Sequence, residues 1–233
     1  MARKPRMYLP DIPAHVVHRG NNREPCFFGE EDYRFYQDRL GRALRRYRVR
    51  LHAYVLMTNH VHLLMTAEDE CGISRVLSLL GQHYVQYINR TYRRSGTLWE
   101  GRHKASIVNA EEYLLLCYRY IELNPVRAGM VTAPEDYRWS SYRHHARGES
   151  NPLISDHDLY YALGRNADER QYAYREVFKV SLLERDVHSI SRASHYNYPL
   201  GNDRFRKKIE ETLQRQVGYA CQGRPSKSAT GQK

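Results

Sequence analysis

The sequence has no long apolar segment and few cysteines. No apolar run reaches the roughly 18 residues that a membrane-spanning helix needs, and the N-terminus lacks the apolar core of a secretory signal. The four cysteines are widely spaced and include no C-x-x-C pair: Cys26, Cys71, Cys117 and Cys221. We therefore expect free thiols in a reducing compartment, and a cytoplasmic protein that does not associate with a membrane.

Acidic residues are also scarce, because 37 Lys and Arg stand against 26 Asp and Glu for a formal net charge of +11. The excess is clustered at residues 2–6, 42–50 and 90–94, where arginine outnumbers lysine. Arginine suits bidentate contact with phosphate. Among the aromatic residues, 20 tyrosines accompany these arginines, and aromatic rings stack on unpaired bases. This composition favours nucleic acid as partner; the alternative is a well-solvated basic surface without a ligand.

Apolar periodicity predicts an α+β domain, with an antiparallel sheet flanked by helices, over residues 1–147. Thr58-Asn59 is expected to turn the second strand into the third, and Leu51 is expected to share a face with Ala53, Val55 and Met57 in a half-buried strand. Asn109 is expected to cap a helix, with Glu112 completing a capping box. The predicted strands are 14–19, 51–57, 60–65 and 98–108, the last bent near Gly101, and the predicted helices are 30–47, 73–93 and 110–123.

A domain boundary is predicted near residues 148–152, which are rich in turn-forming residues. Residues 148–221 are expected to form a helical C-terminal region, for which we consider a DNA-binding role. Its predicted helices are approximately 156–163, 167–179 and 202–216. Residues 222–233 are expected to be a disordered basic tail.

A histidine pair, His60 and His62, interrupts an apolar strand. Residues i and i+2 of a strand project from the same face about 6–7 Å apart, so the two imidazoles can converge on one metal ion. The alternative is that both are partly buried histidines with ordinary hydrogen bonds. His144 and His145 form an adjacent pair, which would diverge on a strand, so no metal site is predicted there.

Residues 117–129 carry a second group of candidate residues. Tyr120 and Asn124 are four apart and share a helix face, so a phenol and an amide oxygen could lie together beside a metal. Two observations leave it open whether Tyr120 and Asn124 form such a site. Tyr120 also belongs to an apolar stripe with Tyr113, Leu116 and Cys117, and Asn124 precedes a proline, which favours a backbone that leaves the helix.

Five blocks of sequence together resemble the REP-associated tyrosine transposases, a family of the HUH single-strand DNA nucleases. The blocks occur in order across about residues 13–145, and the C-terminal part matches more weakly. They are His15-Val-Val-His-Arg-Gly-Asn-Asn22, Tyr54-Val-Leu-Met-Thr-Asn-His-Val-His62, Leu98-Trp-Glu-Gly-Arg102, Tyr118-Arg-Tyr-Ile-Glu-Leu-Asn-Pro-Val-Arg-Ala-Gly129 and Trp139-Ser-Ser-Tyr142.

The resemblance implies a ferredoxin- or RRM-like nuclease core and a role for each candidate. His60 and His62 would hold a divalent metal, Asn124 matches the position of a third ligand, and Tyr120 would be the nucleophile. An amide oxygen and phosphate oxygens favour Mg²⁺ or Mn²⁺ over zinc. Tyrosine attack would give a 5′-phosphotyrosine intermediate and a free 3′-hydroxyl, with hairpin-forming repeats as substrate.

Other residues of the matched blocks are candidates for DNA contact: Arg19, Asn21, Arg102 and Lys104. The alternative is that they are exposed strand charges. Two other functions are considered, a non-catalytic hairpin-binding protein of the same fold and a metal hydrolase of small phosphodiesters. The strong positive charge disfavours the hydrolase. Self-association stays open, as does the question whether Tyr120 serves the histidines of its own subunit or of a partner.

Overall fold

The structure is a computed structural model that describes residues 6–214, 216 and 217. Four strands form one antiparallel sheet in the order β2-β3-β1-β4: β1 (Ala14–Arg19), β2 (Val49–Met57), β3 (His60–Ala67) and β4 (Lys104–Ile107). Helix α1 (Glu30–Arg46) connects β1 to β2, and α2 (Gly72–Thr91) connects β3 to β4. The expected α+β fold with a flanked antiparallel sheet is confirmed.

The remaining helices follow β4. They are α3 (Ala110–Glu122), α4 (Asn124–Arg127), α5 (Tyr142–Arg147), α6 (Asp158–Tyr161), α7 (Ala167–Lys179), α8 (Glu184–Tyr196) and α9 (Asp203–Leu213), with 3₁₀ turns at Asn21–Arg23 and Pro134–Asp136. Within the described residues, no helix is long and apolar enough to cross a membrane.

Both faces of the sheet are covered. Val16 on β1 and Val61 and Leu63 on β3 pack against the buried stripes of α1 and α2. On the other face, Val55 on β2 and Leu64 on β3 belong to a second core cluster with residues of α3, α5 and α8. The strand at residues 51–57, which was expected to be half-buried, is therefore buried on both sides.

The hairpin turn at Thr58-Asn59 is confirmed, since Met57 pairs with His60.

A β-bulge in β2 makes one prediction wrong. The pairing with β3 slips between Leu51 and Ala53, so that His52 is an extra residue. An extra residue reverses the side-chain alternation. Leu51 therefore packs on the α1–α2 side, whereas Ala53, Val55 and Met57 pack on the α3 side.

The strand predicted at 98–108 is shorter than expected. Only Lys104–Ile107 pairs with β1, while Trp99 makes an isolated bridge to Gly20. The predicted bend at Gly101 is confirmed, since its φ of +131° lies in the region that only glycine adopts readily. Leu98 and Trp99 still contribute buried side chains to the core.

The start of α3 lies where it was predicted, but the capping box does not form. Asn109 is the N-cap residue and its side chain makes no capping hydrogen bond. Glu112 instead accepts a hydrogen bond from the Asn202 amide, and the Asn109 backbone N–H donates to Leu200 O. The Leu200–Asn202 segment thus supplies the partners that the sequence assigned to the helix itself. After Leu123, Asn124-Pro125 begins the short helix α4, in which proline is tolerated at the first turn.

Beyond residue 148, α7 matches its predicted range, and α6 and α9 are shorter than predicted. Helix α8 was not predicted. It packs on β4, β1 and α3, where Ile190 and Ala193 are buried. The division between residues 1–147 and 148–221 stays a prediction, and the predicted tail at 222–233 and Cys221 lie outside the described residues.

Candidate active site

Strand β3 places the histidine pair on the face of the sheet that α3 covers. His62 pairs with Val17 and His60 with Arg19, so both project beside β1. Their ring centroids are 5.0 Å apart, with His60 half-buried and His62 4% exposed. The prediction that the two imidazoles share a face is confirmed.

Helix α3 brings Tyr120 to the same place. Its ring centroid lies 5.7 Å from that of His62, in an edge-on arrangement, and the residue is 8% exposed. Tyr118 is two residues away and faces the opposite side, where its ring contacts His145 and Tyr174. Helical spacing therefore separates the two tyrosines, one at the histidine pair and one in the core.

Each histidine of the pair has its Nδ1 atom engaged. His60 Nδ1 donates to Asn59 Oδ1 at 2.7 Å. His62 Nδ1 lies 2.8 Å from His15 Nε2, and His15 Nδ1 lies 2.9 Å from Ser194 Oγ. Engagement at Nδ1 leaves Nε2 of both rings to bind a ligand, which is the usual arrangement for metal-binding histidines.

The series of hydrogen bonds from Ser194 through His15 to His62 allows two arrangements of its protons. If Ser194 Oγ accepts from His15 Nδ1–H, then His15 Nε2 must accept from His62 Nδ1–H, and His62 Nε2 carries a free lone pair. If the serine donates instead, the His62 proton moves to Nε2, where it blocks a metal. The first arrangement is the one compatible with metal binding.

Burial keeps these imidazoles neutral. It lowers the pKa of His60 to about 4, with a further effect from the charge of Arg19, and lowers the pKa of His15 to about 3. Burial, with contributions from His15 and His60, lowers the pKa of His62 well below its usual value. Neutral imidazole is the form that binds a metal, so the histidine pair fits a divalent ion at neutral pH.

Asn124 lies one helical turn after Tyr120. Its Nδ2 donates to Tyr120 O at 2.7 Å, so the amide oxygen is the side-chain atom left for another partner. This contact also holds the start of α4 against the end of α3. Asn124 as a metal ligand stays a prediction.

A cavity of about 230 Å³ opens beside His62 and Tyr120. Three of the four residues expected to contact DNA line it, namely Arg19, Arg102 and Lys104. Asn21, the fourth, is not among the lining residues, and its backbone N–H donates to Leu98 O. Three cationic side chains and one carboxylate, Glu100, therefore line the cavity at His62 and Tyr120, and the excess of positive charge suits a phosphodiester.

Sequence reasoning missed three residues of this site. His15 and Ser194 contact His62 directly or through one another, and the Arg127 guanidinium lies 5.3 Å from the Tyr120 ring centroid. His15 lies in the first matched block, two residues from Val17, so its face on β1 could have been assigned. Ser194 is 179 residues from His15 in sequence, and no local pattern connects them.

Comparison with known proteins identifies the family. A model of the family "Transposase IS200 like" matches residues 9–124, which include the histidine pair, Tyr120 and Asn124. Through this segment the chain belongs to the IS200-like transposases, and the expected relationship to transposases is confirmed. No curated protein matches the chain at a significant level.

One of the similar solved structures supports the same fold. The structure of a REP-associated tyrosine transposase bound to a REP hairpin is similar with a TM-score of 0.54 and 19% identity, over 67% of this chain and 93% of that one. A putative transposase from Deinococcus radiodurans is 18% identical with a TM-score of 0.36, over 50% of this chain and 95% of that one.

Proposed function

We propose that this transposase-family chain is a metal-dependent single-strand DNA endonuclease and strand transferase that acts on hairpin-forming repeat DNA. The observation that carries the proposal is the placement of Tyr120 beside His62, which with its neighbour His60 forms a pair of imidazoles whose Nδ1 atoms are engaged. A core tyrosine would not need neighbouring histidines prepared in this way. The hairpin bound by the transposase of similar fold supports the choice of substrate.

In the proposed reaction, Tyr120 Oη attacks the scissile phosphorus. The bond from the phosphorus to Oη forms as the bond to the 3′-oxygen breaks, which leaves a 5′-phosphotyrosine and a free 3′-hydroxyl. A divalent ion, Mg²⁺ or Mn²⁺, held by His60, His62 and Asn124 would withdraw charge from the phosphate and stabilise the leaving oxygen. Because the link retains the phosphodiester energy, a 3′-hydroxyl can reverse the step and join strands without ATP.

Other residues of the site would bind and orient the strand. Arg19, Arg102 and Lys104 line the cavity and would hold phosphates, and we keep Asn21 as a weaker candidate. The His15–Ser194 contact would keep the lone pair of His62 Nε2 directed into the site. We further propose that the protein acts in the cytoplasm, where its DNA would be accessible.

The test of the nucleophile is the substitution Tyr120→Phe. The variant keeps the ring and should fold, bind metal and bind a labelled single-stranded hairpin, yet form no covalent DNA adduct after denaturation. If Tyr120 only packs in the core, adduct formation should be nearly unchanged, since the loss of one hydroxyl costs roughly 1 kcal/mol of stability.

Tyr118→Phe is the matched control for Tyr120→Phe, because Tyr118 lies on the same helix and faces the core. It should form the adduct as the parent does. Peptide mapping of the trapped adduct then identifies the nucleophile, and DNA attached to any tyrosine other than Tyr120 would overturn the assignment. Hairpin binding with no adduct in the parent itself would support the alternative of a non-catalytic binding protein.

The test of the metal site is His60→Ala or His62→Ala. Each variant should lose cleavage by at least 100-fold and bind the hairpin within about 3-fold of the parent, because many arginines share the phosphates. His83→Ala, at an exposed position of α2, is the control and should cleave normally. Full cleavage by either active-site variant in excess Mg²⁺ contradicts the assignment.

A further inference from the structure

We propose that this chain binds a second metal ion, Zn²⁺, at a site formed by His144, His145 and Asp156, which we name the α5 cluster. None of its residues belongs to the histidine pair or contacts Tyr120. The sequence argument against a metal there assumed a strand. His144 and His145 instead lie on the helix α5, and both side chains approach the same aspartate, which precedes α6.

The distances in the α5 cluster match zinc coordination. Asp156 Oδ1 accepts a hydrogen bond from His144 Nε2 at 3.2 Å, whose proton a metal would replace, and lies 3.5 Å from His145 Nε2. Two ligand atoms on a tetrahedral zinc ion, each 2.0–2.2 Å from the metal, are roughly 3.3–3.6 Å apart. All three ligand atoms lie within 4.8 Å of one another, and the His144 side chain is 21% exposed, so its ring has room to close the remaining gap.

The Nδ1 atom of each imidazole ring already makes a hydrogen bond. His144 Nδ1 donates to the backbone oxygen of Glu149 at 3.0 Å, and His145 Nδ1 donates to Glu122 Oε1 at 2.9 Å. Both rings therefore direct Nε2 toward Asp156. A histidine that donates from one nitrogen to a carboxylate or carbonyl and binds a metal with the other is the common arrangement in zinc sites.

His145 Nε2 is the strongest indication of a ligand. The side chain is fully buried, and among the residues that the structure describes this atom makes no regular hydrogen bond, only an ion-pair contact with Asp156 Oδ1 at 3.5 Å. A buried polar atom that lacks a well-formed hydrogen bond costs up to about 1–3 kcal/mol. A metal bound at Nε2 removes that cost.

The backbone fixes the positions of the ligands. Gly148 ends α5 with a φ of +69°, and this left-handed turn brings Glu149 O back to His144. On the other side, the Ser155 backbone N–H donates to Leu51 O, and His52 Nδ1 donates to Ser155 O. Asp156 is therefore tied to the edge strand β2 and does not rely on a free loop for its position.

The chemistry of the ligands selects the ion. Two imidazole nitrogens and one carboxylate are a zinc set, whereas Mg²⁺ prefers oxygen ligands. The partial exposure of His144 and Asp156 gives an entry path and leaves a fourth position for water. Zinc here would join α5 to the segment before α6 and, through Glu122, to the C-terminal end of the helix that carries Tyr120.

The test uses the full chain with His60→Ala and His62→Ala, so that the histidine pair cannot contribute. After removal of metals with a chelator, this protein should bind one Zn²⁺ per chain and should show a higher melting temperature with zinc than without. Co²⁺ in place of zinc should give the visible absorption of a four-coordinate ion. Addition of His144→Ala or Asp156→Asn should lower zinc affinity at least 100-fold and remove the thermal shift.

His83→Ala on the same background is the control and should keep the bound zinc. Two results would overturn the proposal. The first is no zinc binding in the background protein, as expected if the cluster is a metal-free ion pair. The second is equal binding with and without Asp156→Asn, as expected for adventitious surface sites. Circular dichroism verifies the fold of each variant. Because the readout is metal content, failure here is distinct from failure of the proposed DNA cleavage.

Discussion

At the scale of single residues, the contact between His15 and His62 explains how a buried imidazole is kept ready for a metal. His15 is fully buried and lies between Ser194 Oγ and His62 Nδ1. In the arrangement that is compatible with metal binding, His15 Nε2 accepts the hydrogen bond from His62 Nδ1–H, and this contact decides which nitrogen of His62 carries the proton. We therefore assign His15 as a positioning residue and not as a ligand.

The expected effect of His15→Leu is weaker metal binding with little change in DNA affinity. The apolar side chain leaves His62 Nδ1 without its acceptor, so the ring can shift or carry its proton on Nε2. Loss of such a partner typically costs about 10–100-fold in metal affinity. Titration with Mn²⁺, followed by electron paramagnetic resonance, measures the effect directly.

His83→Leu is the control for His15→Leu. His83 lies at an exposed position of α2 and does not line the cavity at His62 and Tyr120. Its replacement should leave Mn²⁺ affinity unchanged. His15→Gln, which restores an acceptor, should recover part of the affinity. Equal Mn²⁺ binding by His15→Leu and the parent contradicts the positioning role.

At the scale of elements, the sequence predicted those that carry a strong apolar pattern. Helices α1 and α2 have continuous buried stripes, and β1 and β3 were predicted from their start residues onward. Helix α8 was not predicted because its buried residues are Ile190, Ala193 and Ser194, and only Ile190 has a large apolar side chain. A largely polar helix with so few large apolar residues gives a weak apolar pattern in the sequence, although its small buried face packs well against a sheet.

The same distinction holds for the functional residues, since local spacing predicts some of them and only packing between distant segments brings the others together. His60, His62 and Tyr120 follow from local spacing together with the matched blocks, because strand and helix periodicities fix their faces. Ser194 and the α5 cluster depend on packing between distant segments. The bulge at His52 could not be predicted from the alternation of apolar and polar residues in β2, because an extra residue is evident only from the pairing with the neighbouring strand.

Ile190→Ala measures how much α8 contributes to stability. Ile190 is fully buried in the core cluster that includes Tyr118 and Tyr174, so the truncation should lower the free energy of unfolding by about 2–5 kcal/mol. Urea unfolding followed by circular dichroism checks this value. His188→Ala, at an exposed position of the same helix, should change it by less than about 0.5 kcal/mol. Similar stability of both variants would mean that α8 packs weakly on the sheet.

At the scale of the whole molecule, the net charge of +11 and the position of the site act together. Arg19, Arg102 and Lys104 surround the cavity at His62 and Tyr120. Arginines on the α1 face are partly neutralised, as Arg34 is by Glu30 and Glu31. The general charge should attract DNA, while the cavity charges should define where the phosphates bind.

Salt dependence of hairpin binding distinguishes these two contributions. Each phosphate contact on a single strand releases condensed counterions and contributes a slope of about −0.7 to log K against log salt. Affinity for a labelled hairpin, measured between about 50 and 200 mM salt, should therefore fall steeply in the parent. Arg102→Gln should make the slope shallower by about 0.7 if this exposed side chain contacts a phosphate. Arg34→Gln, on α1, should leave the slope unchanged. An affinity indifferent to salt, or equal slopes for the parent and Arg102→Gln, would remove Arg102 from the phosphate-binding surface.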